Sequence, residues 1–170
     1  MLHLIQDITD NYLKFINDDP VRPNIPVIER VGNNKDIFIL CDDGEVAAIT
    51  CVSYQREIPT SEEELFRENR SPSVAVFYTI WSYKPGAGRE LILNAVDYLL
   101  ENNNNIKRFV TLSPKTEMAR RFHLKNGAVV LQENPHTVNY EYRQKPLNLC
   151  QKPTEISVVN QQLTRPQLSH

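Results

Sequence analysis

The sequence has little cysteine and no long apolar run, and each shortage excludes a class of protein. Cys41, Cys51 and Cys150 are an odd number of cysteines without CxxC spacing. They predict neither a disulfide framework nor a zinc site, and they favour a reducing, cytoplasmic environment. No apolar run approaches the ~20 residues of a membrane-spanning helix. The first residues also lack a basic start with a long apolar centre, so we predict no signal peptide and no membrane partner.

An excess of positive charge is missing as well. Nineteen lysine and arginine residues face 21 aspartate and glutamate residues, for a formal net charge of −2. This argues against a broadly basic surface, and we predict no nucleic-acid partner. His3, His136 and His170 show no metal-ligand spacing with Asp, Glu or Cys, so we predict no metal site.

The length of 170 residues and a hydrophobic content of 41% fit one domain with a real core. We place that domain at residues 1–143. Residues 144–170 contain several prolines, glutamines and asparagines and no aromatic residue. We interpret them as a C-terminal tail that is loose or docked on the domain or a partner.

Hydrophobic periodicity predicts a mixed α/β (α+β) domain. In chain order we predict a helix over 2–17, an irregular proline-rich stretch over 18–26, strands over 36–41 and 46–54 joined by a turn, a short helix that Thr60 or Ser61 caps, and a strand over 73–82. A helix over 89–101, a strand over 106–113, a second helix, and strands over 128–132 and 137–142 follow. The unit over 73–113 should be a right-handed βαβ crossover.

The second helix has two candidate start signals. Ser113-Pro114 places a capping residue before a first-turn proline, and Thr116 is a competing cap. Asn126-Gly127 ends the helix. The residues that form its apolar face are Met118, Ala119 and Phe122.

The glycine-containing loop "YKPGAG" at 83–88 lies between an apolar strand and a helix. Gly86 and Gly88 let the backbone approach a ligand closely, and the helix N-terminus favours an anion. Lys84 and Arg89 flank the loop and could neutralise a phosphate. The loop lacks GxxxxGK[ST] and GxGxxG. A structural turn and a pyrophosphate site both remain open.

Candidate hydroxyl and imidazole groups lie further along the chain than this loop. Thr111 and Ser113 lie two residues apart in a predicted strand, so their side chains share one face. His123 can gain or lose a proton near neutrality because its unperturbed pKa is about 6.5. Ser113 could equally well cap a helix, and the local sequence by itself favours packing for His123. Tyr140 and Tyr142 share a face of the last strand, where we expect them to pack.

Together, residues 36 to 143 resemble the GCN5-related N-acetyltransferase (GNAT) superfamily. Its pyrophosphate loop, [Q/R]-x-x-G-x-[G/A], matches residues 83–88, with Tyr83 in place of Gln or Arg. The resemblance implies a GNAT-like mixed central sheet with flanking helices and a βαβ CoA-binding core. It implies a splay between the fourth and fifth strands, where backbone N–H groups near Ile80–Ser82 bind the thioester oxygen. The implied CoA-binding residues are Ile80, Trp81, Ser82, Tyr83, Lys84, Gly86, Ala87, Gly88 and Arg89.

The family's A-x-x-F-Y-x-x-x-G-F motif resembles "ARRFHLKNGA" at 119–128. His123 would then replace the tyrosine that protonates the departing CoA thiolate in many members. "TLSP" at 111–114, the same helix, and "VNYEY" at 138–142 are similar to the GNAT-like catalytic domain of malonyl-CoA decarboxylases. In those enzymes a serine and a histidine act on the malonyl carboxylate; the matching residues are Ser113, with Thr111 as the alternative, and His123. The sequence lacks their long insertion between the first two motifs and their preceding helical domain.

The resemblance implies an acyl-CoA-dependent N-acyltransferase that uses acetyl-CoA or another acyl-CoA. It would act on an unknown small-molecule or protein amine by direct transfer with general acid–base help. One alternative is a malonyl-CoA decarboxylase-like enzyme that uses Ser113 and His123. Another is a domain that binds CoA without catalysis or serves as an interaction module. A homodimer is left open.

Overall fold

The computed structural model describes residues 1–144, and eight strands in that range form one mixed sheet. The order across the sheet is first, second, third, fourth, fifth, eighth and sixth strand, and the seventh pairs with the eighth. Apart from Gln144, the predicted tail lies outside the described residues. The strands are β1 (Leu2–Ile5), β2 (Lys35–Asp42), β3 (Glu45–Gln55), β4 (Val74–Ser82), β5 (Arg108–Thr111), β6 (Ser113–Pro114), β7 (Val129–Glu133) and β8 (Thr137–Glu141).

Helices cover both faces of this sheet. The α-helices of the described residues are α1 (Ala87–Asn102) and α2 (Glu117–Lys125), and the 3-10 helices span Asn11–Asp18, Val27–Arg30 and Glu62–Phe66. None of the helices in residues 1–144 is long and apolar enough to cross a membrane. The pair β4 and β5, joined by α1, is parallel, whereas the other paired strands are antiparallel. The predicted mixed α/β (α+β) class is confirmed.

Two apolar cores lie on opposite faces of the sheet, and β2 contributes to both. Phe38 and Leu40 pack with α1, whereas Ile37 and Ile39 pack against the 3-10 layer. This alternation follows from the two-residue period of a strand. Because both faces are covered, the central strand β4 is apolar almost throughout, as its sequence predicted.

The predicted helix over 2–17 is wrong in its first part. Leu2 lies opposite Leu40 and Ile5 opposite Ile37, so these residues form an edge strand. A segment of four residues is too short to distinguish the hydrophobic period of a helix from that of a strand. Pairing with β2 makes it a strand. A 3-10 helix begins only at Asn11, after the Asp10 side chain accepts a hydrogen bond from a backbone N–H.

The predicted cap of the short helix also differs. Residues Glu62–Phe66 form a 3-10 helix, and Ser61 at its start makes no side-chain capping bond. The backbone N–H of Thr60 instead donates to the Glu64 carboxylate at 2.6 Å. The carboxylate of Glu64, a residue within the helix, therefore fixes the turn that precedes the helix.

Strands β4 and β5 pair at one end only. The register runs from Val74–Phe77 against Arg108–Thr111. The last bond between them joins the Leu112 N–H to the Phe77 carbonyl at 3.0 Å. Beyond it, residues 78–82 of β4 continue beside β3, whereas the segment that follows β5 turns into β6 and pairs with β8. The resulting gap is the splay that the family resemblance implied.

A β-bulge in β4 lies where the two strands separate. Cys51 of β3 is opposite Thr79, and Val52 is opposite Phe77, so Tyr78 is the extra residue. Bulges bend a strand and increase its twist. The bulge therefore turns the rest of β4 away from the line of β5.

Candidate functional site

A cavity of about 350 Å³ lies in the gap between β4 and β6. Helix α2 covers one side, and the segment Pro20–Val21 covers another. The end near the separation of the strands is lined by Phe77, Tyr78 and Leu112, and the end near the glycine loop by Ser82 and Gly88. The gap in the sheet is thus a defined, mainly apolar site.

The apolar face of α2 lines this cavity. Met118 is 78% exposed, and within α2 only His123 is buried. Met118, Ala119 and Phe122 were predicted as the helix's apolar face, and all three line the cavity. An apolar helix face on an open cavity is suited to cover an apolar ligand.

Thr116, rather than Ser113, caps α2. The Thr116 hydroxyl accepts a hydrogen bond from the Ala119 N–H at 3.2 Å. The predicted start at Ser113-Pro114 is wrong because Ser113 pairs with Val138 in the sheet, which keeps its backbone extended. The Ser113 hydroxyl is therefore available for side-chain contacts.

A chain of four buried polar groups includes two residues of the cavity wall, Ser113 and His123. Ser113 Oγ lies 2.8 Å from Thr111 Oγ1 and 3.2 Å from His123 Nε2. His123 Nδ1 lies 2.8 Å from the Tyr142 hydroxyl. Thr111 Oγ1 also accepts the Tyr140 N–H at 3.0 Å. Two proton arrangements satisfy the contacts: Ser113 donates to Thr111 and accepts from Nε2–H, or Ser113 donates to an unprotonated Nε2.

The surroundings of His123 keep its imidazole neutral. Burial lowers the pKa of His123 to about 4. Its ring stacks on Tyr140, with centroids 5.0 Å apart and planes 28° apart. Burial also raises the pKa of the Tyr142 hydroxyl far above its usual range, so this group stays protonated at neutral pH. The predicted packing role thus describes Tyr140, whereas Tyr142 also provides a polar contact.

The glycine loop differs in detail from the prediction. Gly86 adopts a φ of +79° just before α1, and the helix begins at Ala87, inside the predicted loop. A Cβ at Gly88 would lie 3.1 Å from the Phe122 ring. The glycine at this position therefore allows α1 to approach α2, and the first turn of α1 places its partial positive charge beside the cavity.

The flanking side chains of the loop have separate partners. Lys84 Nζ lies 3.3 Å from an Asp42 carboxylate oxygen. Arg89 donates to the Asn126 amide oxygen at 3.2 Å. The Tyr83 hydroxyl donates to Asp18 at 2.7 Å and accepts from the indole N–H of Trp81 at 3.2 Å. Tyr83 is thus bound to the 3-10 helix over Asn11–Asp18. The other predicted CoA-binding residues of β4, Ile80, Trp81 and Ser82, line the cavity.

Sequence reasoning missed the buried ion pair that fixes the wall formed by Pro20 and Val21. Arg30 donates to Asp19 at 2.6 Å, and both side chains are fully buried. The Asp19 carboxylate also accepts the Thr79 hydroxyl at 2.8 Å and the N–H groups of Val21 and Arg22. These bonds fix the segment Pro20–Arg22 against β4. Asp19 lies in the proline-rich stretch and Arg30 lies just after it, so the pair gives no periodic signal, and only the spacing of an acid and a base could have suggested it.

Solved structures with a similar fold include two functional classes. Malonyl-CoA decarboxylase from Agrobacterium vitis has a TM-score of 0.70 and 19% identity, with 85% of this chain and 60% of that chain covered. The GNAT domain of the Streptomyces lividans protein PAT has a TM-score of 0.58 and 12% identity, over 83% and 88% of the two chains. The chain has the GNAT fold. A Bacillus subtilis acetyltransferase in complex with CoA shares this GNAT fold with a TM-score of 0.60 and 10% identity, over 85% and 98%.

These identities establish the GNAT fold, and the coverage differs between the two classes. The chain spans about 60% of the length of the malonyl-CoA decarboxylases it matches. It spans 98% of the Bacillus subtilis acetyltransferase. No protein-family model and no curated protein matches the sequence.

Proposed function

We propose that the chain binds an acyl-CoA thioester in the β4–β6 cavity and decarboxylates a malonyl-type acyl group. The observation that carries the proposal is the 3.2 Å contact between Ser113 Oγ and His123 Nε2, since both residues line the cavity. The fold likeness to malonyl-CoA decarboxylases supports it. Sequence reasoning ranked N-acyl transfer first; on the contact of this pair we instead propose decarboxylation first and keep transfer as the second candidate.

The cavity suits the pantetheine arm of CoA. Ile80, Trp81 and Ser82 border the gap that β5 would otherwise fill, and the pantetheine amides can take the place of a neighbouring strand. Phe122 and Met118 would cover its apolar atoms. The N-terminus of α1, together with Lys84 and Arg89, would attract the pyrophosphate.

Decarboxylation breaks the bond between the carboxylate carbon and the α carbon. The electron pair moves into the thioester carbonyl to give an enolate, and CO₂ leaves. One proton must then reach the α carbon, so each turnover consumes one proton. In our proposal the Ser113 hydroxyl delivers this proton, and Nε2–H of His123 replaces it. The Tyr142 hydroxyl, which lies 2.8 Å from Nδ1, holds the imidazole and extends the path for the incoming proton.

The apolar walls favour loss of charge from the acyl group. Phe77, Leu112 and Phe122 line the cavity around Ser113. A carboxylate is costly to place beside such groups, whereas neutral CO₂ is not. The reaction would therefore relieve part of the cost of binding.

Ligand binding and turnover test this proposal separately. A ligand at 100 times its Kd should stabilise the protein by about 2.7 kcal/mol, which thermal unfolding with CoA, acetyl-CoA and malonyl-CoA can detect. Malonyl-CoA should yield acetyl-CoA and CO₂. Ser113→Ala and His123→Gln should retain binding and lose turnover by about 10²–10⁴-fold. The exposed His136→Gln is the matched control. Bound but unchanged malonyl-CoA would remove decarboxylation from consideration.

N-acyl transfer is the second candidate, because the chain spans nearly the full length of a GNAT-fold acetyltransferase. The neutral His123 can accept a proton from an amine in one arrangement and protonate a thiolate in the other. Incubation of acetyl-CoA with a panel of amines, followed by thiol detection, tests this reaction. Amine-dependent thiol release, with malonyl-CoA unchanged, would favour transfer over decarboxylation.

A further inference from the structure

The side chain of Arg22 crosses the point where β4 and β5 separate. Its Nε donates to the Tyr78 carbonyl at 3.2 Å, and its Nη2 donates to the Leu112 carbonyl at 2.8 Å. The last hydrogen bond between the strands, from the Leu112 N–H to the Phe77 carbonyl, lies just before these carbonyls. One guanidinium therefore donates to one backbone carbonyl on each side of the point where the strands separate.

This arrangement puts a positive charge beside the backbone of two residues, Tyr78 and Leu112, that line the cavity where the strands separate. Val21, Tyr78 and Leu112 all line the cavity, and Ser113 follows Leu112 directly. The Arg22 side chain is only 11% exposed. The charge therefore lies behind the wall that an acyl group beside Ser113 would touch.

Neighbouring acids leave this charge only partly compensated. The Asp19 carboxylate, close to Arg22 in the chain, is paired with Arg30 at 2.6 Å. Glu62 approaches Arg22 Nη1 at 3.2 Å, but its side chain is 42% exposed, so solvent screens it. Three of the five N–H donors of the guanidinium have the partners described above.

We propose that Arg22 makes the cavity selective for acyl-CoA thioesters whose acyl group ends in a carboxylate. The inference rests on the proposed function and names its specificity-determining residue. During binding the charge attracts the terminal carboxylate. After CO₂ leaves, the negative charge lies on the thioester oxygen beside Ser113, still near the guanidinium. Arg22 thus lies near the negative charge of the acyl group both before and after CO₂ leaves, and it favours binding of the carboxylate substrate.

Three variants separate this role from a structural one. Arg22→Met removes the charge, Arg22→Lys restores a cation, and Glu62→Gln removes the acidic partner while it leaves both backbone bonds of Arg22 in place. All variants are made in the Ser113→Ala background, which should bind without turnover, and the measurement is the ratio of the Kd values for acetyl-CoA and malonyl-CoA, from titration calorimetry. Arg22→Met should lower this preference for malonyl-CoA roughly tenfold, and lysine should recover part of it. Glu62→Gln should raise it, and the exposed neighbour Glu63→Gln is the matched control.

The outcomes distinguish the inference from the proposed function. If Arg22→Met folds, binds CoA and keeps the preference of the Ser113→Ala protein alone, the inference is overturned while decarboxylation stands. If Arg22→Met fails to unfold cooperatively, Glu62→Gln decides, and a ratio equal to that of Glu63→Gln overturns the inference. If no CoA thioester binds the wild-type protein, the proposed function is overturned as well.

Discussion

The two halves of β4 are both mainly apolar, but they have different neighbours. Residues 74–77 have β3 on one side and β5 on the other, whereas residues 78–82 have β3 on one side and the cavity on the other. All of residues 74–77 and three of residues 78–82 are buried, and both halves are mainly apolar. The site therefore arises because a neighbouring strand ends at Thr111, and β4 itself shows no switch from an apolar to a polar sequence there.

The largest expected effect lies in the paired half. Phe109 of β5 is opposite Ala75 and fully buried. Phe109→Ala should lower the free energy of unfolding by about 3–5 kcal/mol, because it removes a core ring and leaves a cavity. Urea denaturation measures this loss. A loss below about 1 kcal/mol would contradict the description of this half as closed core.

The next effect concerns the open half and depends on pH. Burial lowers the pKa of His123 from 6.5 to about 4, so between these values the unfolded chain binds a proton that the folded protein does not. The stability that this group preserves above pH 6.5 should be lost as pH falls toward 4. A shift of this size corresponds to about 3 kcal/mol. Equilibrium unfolding at several pH values should show a weaker decline in His123→Gln than in the wild type.

The wild type and variant must be compared with each other, because Asp36 acts in the opposite direction. Burial raises the pKa of Asp36 to about 6, so its protonation in the folded state favours folding as pH falls. Asp36 is common to both proteins, and the difference between them isolates the imidazole. Parallel pH profiles would show that His123 titrates equally in the folded and unfolded states.

A smaller effect is expected from one hydroxyl at the edge of the open half. Tyr142→Phe removes the contact with His123 Nδ1 and should cost about 0.5–1.5 kcal/mol of unfolding free energy. Turnover of malonyl-CoA should fall further than binding, because the imidazole loses its orientation. Tyr140→Phe is the matched control, since it keeps the ring that stacks on His123. Equal losses of turnover in both variants would remove the orienting role of Tyr142.

The smallest effect on stability is expected at Met118. This side chain lines the cavity but is largely exposed, so Met118→Ala should change the free energy of unfolding by no more than about 0.5 kcal/mol. The affinity for CoA thioesters should fall, because the ligand loses an apolar contact. Ile28→Ala, at another exposed apolar residue, should leave that affinity unchanged. Unchanged affinity in both variants would show that the ligand does not reach α2.

Much of the fold followed from local patterns. The hairpin of β2 and β3 was predictable because "DDGE" separates two apolar runs, and Asp43 and Gly44 do adopt positive φ angles. Helix α2 was predictable because Asn126-Gly127 ends its amphipathic pattern. These signals act within a few residues. The four residues of β1 had no such signal, and a distant partner, β2, determined their structure.

The site was only partly predictable for the same reason. Two-residue spacing placed Thr111 and Ser113 on one face, and they do contact each other. The family resemblance pointed to Ser113 and His123 together. Arg22 escaped prediction because its partners are backbone carbonyls, which every residue has. The choice between Ser113 and Thr116 as helix cap depended on β8, which lies further along the chain.

The buried bonds of the proline-rich segment also have a consequence for the order of folding. Arg22 reaches Leu112 across 90 residues of sequence, and Asp19 reaches Thr79 across 60. Such distant closures are entropically costly and depend on a sheet that is already formed. We expect residues 19–30 to join late, and to show faster amide hydrogen exchange than β3 and β4. A CoA thioester bound between this segment and α2 would slow that exchange, so the substrate would complete the wall of its own site.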